Sequence, residues 1–255
     1  MTKLVIIRIA SNTYKEVVRD KVYYVLFAFS FLIIAFSFVL GRLSLGESRT
    51  LIMDMSFFAM ELIGVLISVF VGITLVYREV ERKTIFSILS KPVKRSEFVI
   101  GKFVGLISSL VVAEAAMLAI TVALLKLRGV SLDLSLLIVF ASILLEICLV
   151  LSCAVLFSVL SSPITSGIFT ISFYMIGNMS YLLKEVYLGT EEANHVISAV
   201  FYIIPNFHIF DFSYEVVHLL PIEWGRVLIA SGYAIAYILL LLTVAVAAFE
   251  RKDIF

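Results

Sequence analysis

Charged residues make up only 15% of this 255-residue chain, against about 25% in an ordinary soluble domain. Hydrophobic residues fill 62%, where roughly 45–50% is usual, and mean hydropathy is +1.12. So little charge excludes a soluble globular domain and indicates an integral membrane protein. No polar block is long enough to bury a second core, so one all-α, polytopic membrane domain covering 1–255 is expected. The net charge is +1, and the basic residues flank apolar runs instead of forming a patch for nucleic acid. Cysteine is nearly absent: Cys148 and Cys153 share one apolar run at a five-residue offset, off a common helical face, and read as inert buried thiols rather than a disulfide. Of three histidines none falls in a long apolar run, so no nucleophile–base pair is visible in the spans. A phosphate-binding loop is also missing. Gly101-Lys102 is followed by Phe103 and has Ser96 where G-x-x-x-x-G-K-[ST] needs glycine, so the chain has no nucleotide-hydrolysis site of that kind and is not expected to be an enzyme.

What is present is a series of membrane-length apolar runs. Residues 1–21 place Lys3, Arg8, Lys15, Arg19 and Lys21 among Leu4, Ile7 and Val18, the pattern of an amphipathic helix on a membrane surface. Spans are expected at about 22–40, 56–77, 103–125, 134–160, 165–183 and 227–249. The length of the first, its basic leader and the lack of an A-x-A-like site argue against a cleaved signal peptide. Gly64, Ser68 and Gly72 form a small-residue strip for close helix packing, and Gly101-x-x-x-Gly105 opens the third span. Arg42, Glu47, Arg49 and Asp54 are assigned to a polar turn. The stretch 184–226 holds Pro205, Pro221 and all three histidines, and reads as an outer loop with one or two short interfacial helices. With a cytoplasmic N-terminus, inside segments hold 14 of the 20 lysines and arginines and outside segments 6, so both termini and the 78–101 loop are expected in the cytoplasm.

That loop is the one long charged segment between two spans. Arg78-Glu79-Val80-Glu81-Arg82-Lys83-Thr84 is dense in charge, and Ile85, Ile88 and Leu89 follow at the spacing of one helical face. A short amphipathic helix between Glu79 and Leu89 is expected, ended by Lys91-Pro92, with Ser96-Glu97 capping the next helix. Such a helix either rests on lipid headgroups or docks a partner. The order of span, Glu-Arg-Lys-Thr turn, apolar run, Lys-Pro-Val, basic-Ser pair and Phe-Val-Ile-Gly-Lys resembles the permease subunits of ABC-2 type transporters. The resemblance extends over most of the chain. It implies a coupling helix seated on a separate ABC ATPase, with Arg78, Glu79, Glu81, Arg82, Lys83, Thr84, Ile85, Phe86 and Leu89 at the contact. It further implies ATP and Mg on that partner and no cofactor in this chain, a second permease copy or paralogue, residence in the cell membrane, and export. Asp54, the Gly72 region and Arg78-Glu79 are similar in style to the copper-processing permeases linked to nitrous oxide reductase maturation.

Glu61, Glu114 and Glu146 are the ionisable residues inside the spans. A carboxylate at mid-bilayer costs roughly 2.5–3.5 kcal/mol on insertion scales, so each should face the bundle or a wet cavity. They are candidates for a substrate path, or else carboxyls that fix helix packing. His208, Asp211, Glu215 and His218 would share one face of a helix and suit zinc or copper, but a rise of about 15 Å prevents all four from binding one ion. Otherwise they form the wet side of an interfacial helix whose other side carries Phe207, Phe210, Tyr214 and Val217. The alternatives to a transporter are a membrane-embedded enzyme using Glu114 and Glu146 or the outer-loop histidines, and a non-transporting scaffold or sensor.

Overall fold

A computed structural model describes residues 2–43, 48–81, 94–130, 132–188 and 204–251. Every element among them is helical: α1 (Thr2–Val18), α2 (Lys21–Leu43), α3 (Ser48–Glu81), α4 (Arg95–Leu127), α5 (Ser135–Leu160), α6 (Pro163–Leu188), a 3-10 turn (Phe207–Phe210), α7 (Ser213–Val217) and α8 (Trp224–Arg251). This is the architecture expected where hydrocarbon leaves backbone groups only one another as partners.

Five of these helices are long and apolar enough to cross a membrane: Lys21–Gly41, Ser48–Ile73, Arg95–Leu127, Ser135–Leu160 and Trp224–Arg251. The remaining expected span, 165–183, lies in α6, which is not among the five although its 26 residues give a length of about 39 Å. Serines, threonines and Asn178 dilute α6, yet it exposes Ile164, Ile168, Phe169, Met175 and Met179. The expected turn through Arg49 and Asp54 is corrected: α3 begins at Ser48, so both residues are helical. Polar composition marks where a helix leaves the hydrocarbon, not where it ends.

α3 and α5 form the centre. α5 touches α3, α4, α6 and α8, whereas α2 and α8 lie at the edge and present Val25, Leu32, Leu228 and Leu239 outward, as lipid-facing helices do. The small strip on α3 packs as expected. A Cβ at Gly72 would meet Ala154 Cβ at 2.8 Å, one at Gly64 would collide with Ile147, and Ser68 Oγ donates to the Ile147 carbonyl at 3.4 Å. Several other buried hydroxyls bond back one turn, Ser109 to Leu106, Thr121 to Met117 and Ser152 to Leu149, which satisfies them without a partner helix.

α1 lies along the first half of α4. Its buried stripe is Ala10, Thr13 and Val17. A Cβ on Gly105 would stand 2.5 Å from the Ala10 carbonyl oxygen, and one on Gly101 2.9 Å from Ile9 Cβ. The two glycines therefore allow near backbone contact between an amphipathic helix and a long apolar one.

Candidate functional site

The segment 78–101 reaches the bundle through two long helices. Arg78, Glu79 and Glu81 lie in the last turn of α3, which runs without a break from the span to Glu81. The expected helix thus begins as a continuation of the second span, not as a new element. Arg82, Lys83, Thr84, Ile85, Phe86 and Leu89 lie outside the described residues.

α4 resumes at Arg95, after Lys94. The Lys94 N–H donates to Glu97 Oε2 at 3.2 Å, so the cap position is Lys94, two places before the expected Ser96, which falls within the first turn. From this start α4 is fastened to two other helices. Arg95 Nη1 donates to the carbonyls of Phe249 and Glu250, at 2.9 and 3.0 Å, near the end of α8. Phe98 stacks on Phe249 with ring centroids 6.0 Å apart, and the Arg95 guanidinium lies over the same ring. Two turns on, buried Lys102 pairs with Glu16 of α1 at 3.5 Å and lies over the Phe98 ring. The first two turns of α4 thereby tie the charged segment to α1 and α8. Neither Arg95 nor Lys102 stands out in the sequence, because basic residues beside a span read first as topology signals.

The second candidate region is at the other end of the bundle, where α3 begins. Glu61, Glu114 and Glu146 lie about 17–20 Å along α3, α4 and α5 from the ends of those helices on that side. They do not form one cluster. Glu61 and Glu146 line a cavity of about 50 Å³ together with Asn178, His208, Asp211 and Ser213. The Tyr174 hydroxyl donates to Glu61 Oε1 at 2.7 Å. Glu146 is 5% exposed and its Oε1 has no hydrogen-bond partner among the described residues. Glu114 is fully buried elsewhere: a Cβ on Gly64 would lie 2.6 Å from its Oε1, and neither of its oxygens has a partner among the described residues. The small strip of α3 thus makes room for a carboxyl as well as for a helix. Tyr174 and Asn178 were not singled out in the sequence; their i, i+4 spacing on a span rich in hydroxyls is the signal that marks them.

The cavity is roofed by residues 204–220, which pack deeper than an interfacial helix would. Phe207, Phe210 and Phe212 are fully buried, with Val216 and Val217, while Tyr214 is exposed. The single helical face of His208, Asp211, Glu215 and His218 does not exist, because the chain turns between the 3-10 element and α7 and splits the four. Among the described residues no group of three His, Cys, Asp or Glu is placed to hold a metal ion. Arginines hold the roof instead. Arg49 donates to the carbonyls of Val217 and Val216, at 3.0 and 3.2 Å, and Arg226 binds the Glu215 carboxylate and the Asp211 carbonyl. Tyr233 accepts the Asn206 N–H at 2.9 Å, and Gly177 lets Phe207 and Pro205 close on α6.

Comparison with known proteins places this arrangement. No curated protein matches the chain. A family model described as ABC-2 family transporter protein matches residues 7–254, nearly the whole chain, and carries the family without distinguishing the copper-processing subgroup. The helices, the two polar ends and that match agree: the chain belongs to the ABC-2 transporter family, as a multi-pass permease subunit of an ABC transporter.

Proposed function

We propose that this permease is the membrane half of an ATP-driven exporter. Two permeases, copies or paralogues, flank a path, and a separate ABC ATPase carrying ATP and Mg docks at Arg78–Leu89 with both termini on the same, cytoplasmic side. The observation that supports this most is the fastening of the first two turns of α4. Arg95 holds the end of α8 and Lys102 holds α1, so a push delivered to the preceding segment moves three helices as one body. Packed helices switch between discrete arrangements rather than bending continuously, which converts such a push into a change of access. Glu61 and Glu146, which share the roofed cavity, are the path residues in this reading, and Glu114 stands behind them against Gly64.

Coexpression with the cognate ATPase tests the docking assignment. The wild-type permease retains the ATPase in a pull-down, and a variant with Glu79, Glu81 and Arg82 all changed to alanine loses it. Undiminished retention by that variant refutes the assignment. A protease site appended after residue 255 is cut only in inside-out vesicles if the termini are cytoplasmic.

A further inference from the structure

We propose that the cavity under the 204–220 roof binds one protonated amine, held between Glu61 and Glu146. Among the described residues, its lining supplies three carboxyl groups, Glu61, Glu146 and Asp211, together with Asn178, His208 and Ser213, and no lysine or arginine. Among the described arginines at this end, Arg226 is committed to Glu215 and the Asp211 carbonyl, Arg49 to the carbonyls of residues 216 and 217, and Arg128 to the Phe38 carbonyl of α2. Tyr174 serves Glu61, and the Ser213 N–H serves Asp211 Oδ1 at 3.0 Å. Among the described residues Glu146 Oε1 is left buried in the wall without a partner, which is costly unless something that enters the cavity donates to it.

The chemistry of the donor set narrows what enters. A divalent metal needs several ligands converging at short range, and among the described residues no such group exists. An ammonium group tolerates looser geometry, because its three N–H donors reach separate acceptors at ordinary hydrogen-bond distance. A cavity of about 50 Å³ accepts one such head group and little more, so the remainder of a larger amine would extend past the roof. The roof residues Phe207 and Phe210, both buried, line the same cavity and supply apolar surface for the attached carbon.

This assignment rests on Glu61 and Glu146 being path residues, but its test needs no ATPase, so failure of amine binding and failure of ATP coupling are read separately. The purified full-length permease in lipid nanodiscs is titrated with methylammonium chloride at constant ionic strength, and binding is followed by calorimetry and by the thermal midpoint. Saturable binding with a raised midpoint is expected. Glu146→Gln and Glu61→Gln, which keep side-chain shape, should each weaken it about tenfold or more, as removal of one charge from a buried pair does. Glu114→Gln, outside the cavity, should bind as the wild type does. If a glutamine variant fails to fold, Asn178→Leu fills the same cavity and should abolish binding. Absence of saturable binding, an equal effect from sodium, or unaltered binding by the folded cavity variants overturns the proposal.

Discussion

Replacing Gly105 with alanine tests whether α1 is held to α4 by backbone proximity. The added methyl carbon would lie 2.5 Å from the Ala10 carbonyl oxygen, 2.6 Å from Thr13 Cβ and 2.9 Å from Thr13 Cγ2. The nearest atom is backbone, so no rotamer change relieves the clash and α1 must retreat by roughly 0.5–1 Å to restore ordinary contact of about 3.5 Å. Because the clash is with backbone, overpacking here falls in the upper part of its usual range, about 2–3 kcal/mol, and alanine returns about 1 kcal/mol in helix propensity, leaving a net loss of about 1–2 kcal/mol. That corresponds to a factor of roughly 5–30 in the population with α1 detached. Exposed Lys15 and Arg19 provide tryptic sites in and just after α1, and cleavage tracks the open population when opening is fast. In nanodiscs the cleavage rate should rise by that factor, with hydrogen exchange in α5 unchanged. Gly232→Ala, with nothing within 4 Å of the new carbon, should leave cleavage as in the wild type. Equal rates for wild type and Gly105→Ala would refute the close-contact account.

Further outcomes follow from the same packing. Gly177→Ala places a carbon 2.6 Å from the Pro205 carbonyl oxygen and against the Phe207 ring, so amide exchange over 207–217 should accelerate while α3 and α5 keep their protection. Gly64→Ala meets both Ile147 and Glu114 and should lower stability by about 1–3 kcal/mol, read as a lower thermal midpoint. Arg95→Ala removes two hydrogen bonds to the end of α8 and should leave ATPase retention intact while substrate-stimulated ATP turnover falls; loss of retention would make Arg95 part of the docking surface instead. Glu114→Gln, replacing a buried carboxyl whose oxygens lack partners among the described residues, should preserve or raise the thermal midpoint, and a marked fall would reveal a partner for that carboxyl.

Composition alone determined the class of this protein. A chain with so few charges must satisfy its backbone within helices once in hydrocarbon, and the apolar runs set where most of them lie. The spacing of Gly64, Ser68 and Gly72 identified a packing face because helical period is a local property, and the same locality made Glu61, Glu114 and Glu146 visible as costly residues. Charge also located the segment between the second and third spans, and the order of its residues carried the family resemblance. Tertiary structure decided which of these features meet. Glu61 and Glu146 are 85 positions apart and share a cavity, whereas Glu114 faces Gly64, because the order and rotation of packed helices depend on contacts that no window of sequence contains. The roof shows the same division: Phe207, Phe210, Tyr214 and Val217 read as one side of an interfacial helix by spacing, yet the chain turns between two short helices, burying Phe207, Phe210 and Val217 and leaving Tyr214 exposed. Arg95 and Lys102 read as ordinary flanking charge until the end of α8 and Glu16 of α1 stand beside them. Periodicity specifies a helix and its apolar side; only packing specifies which helix that side meets, and the two polar ends of this permease are products of those meetings.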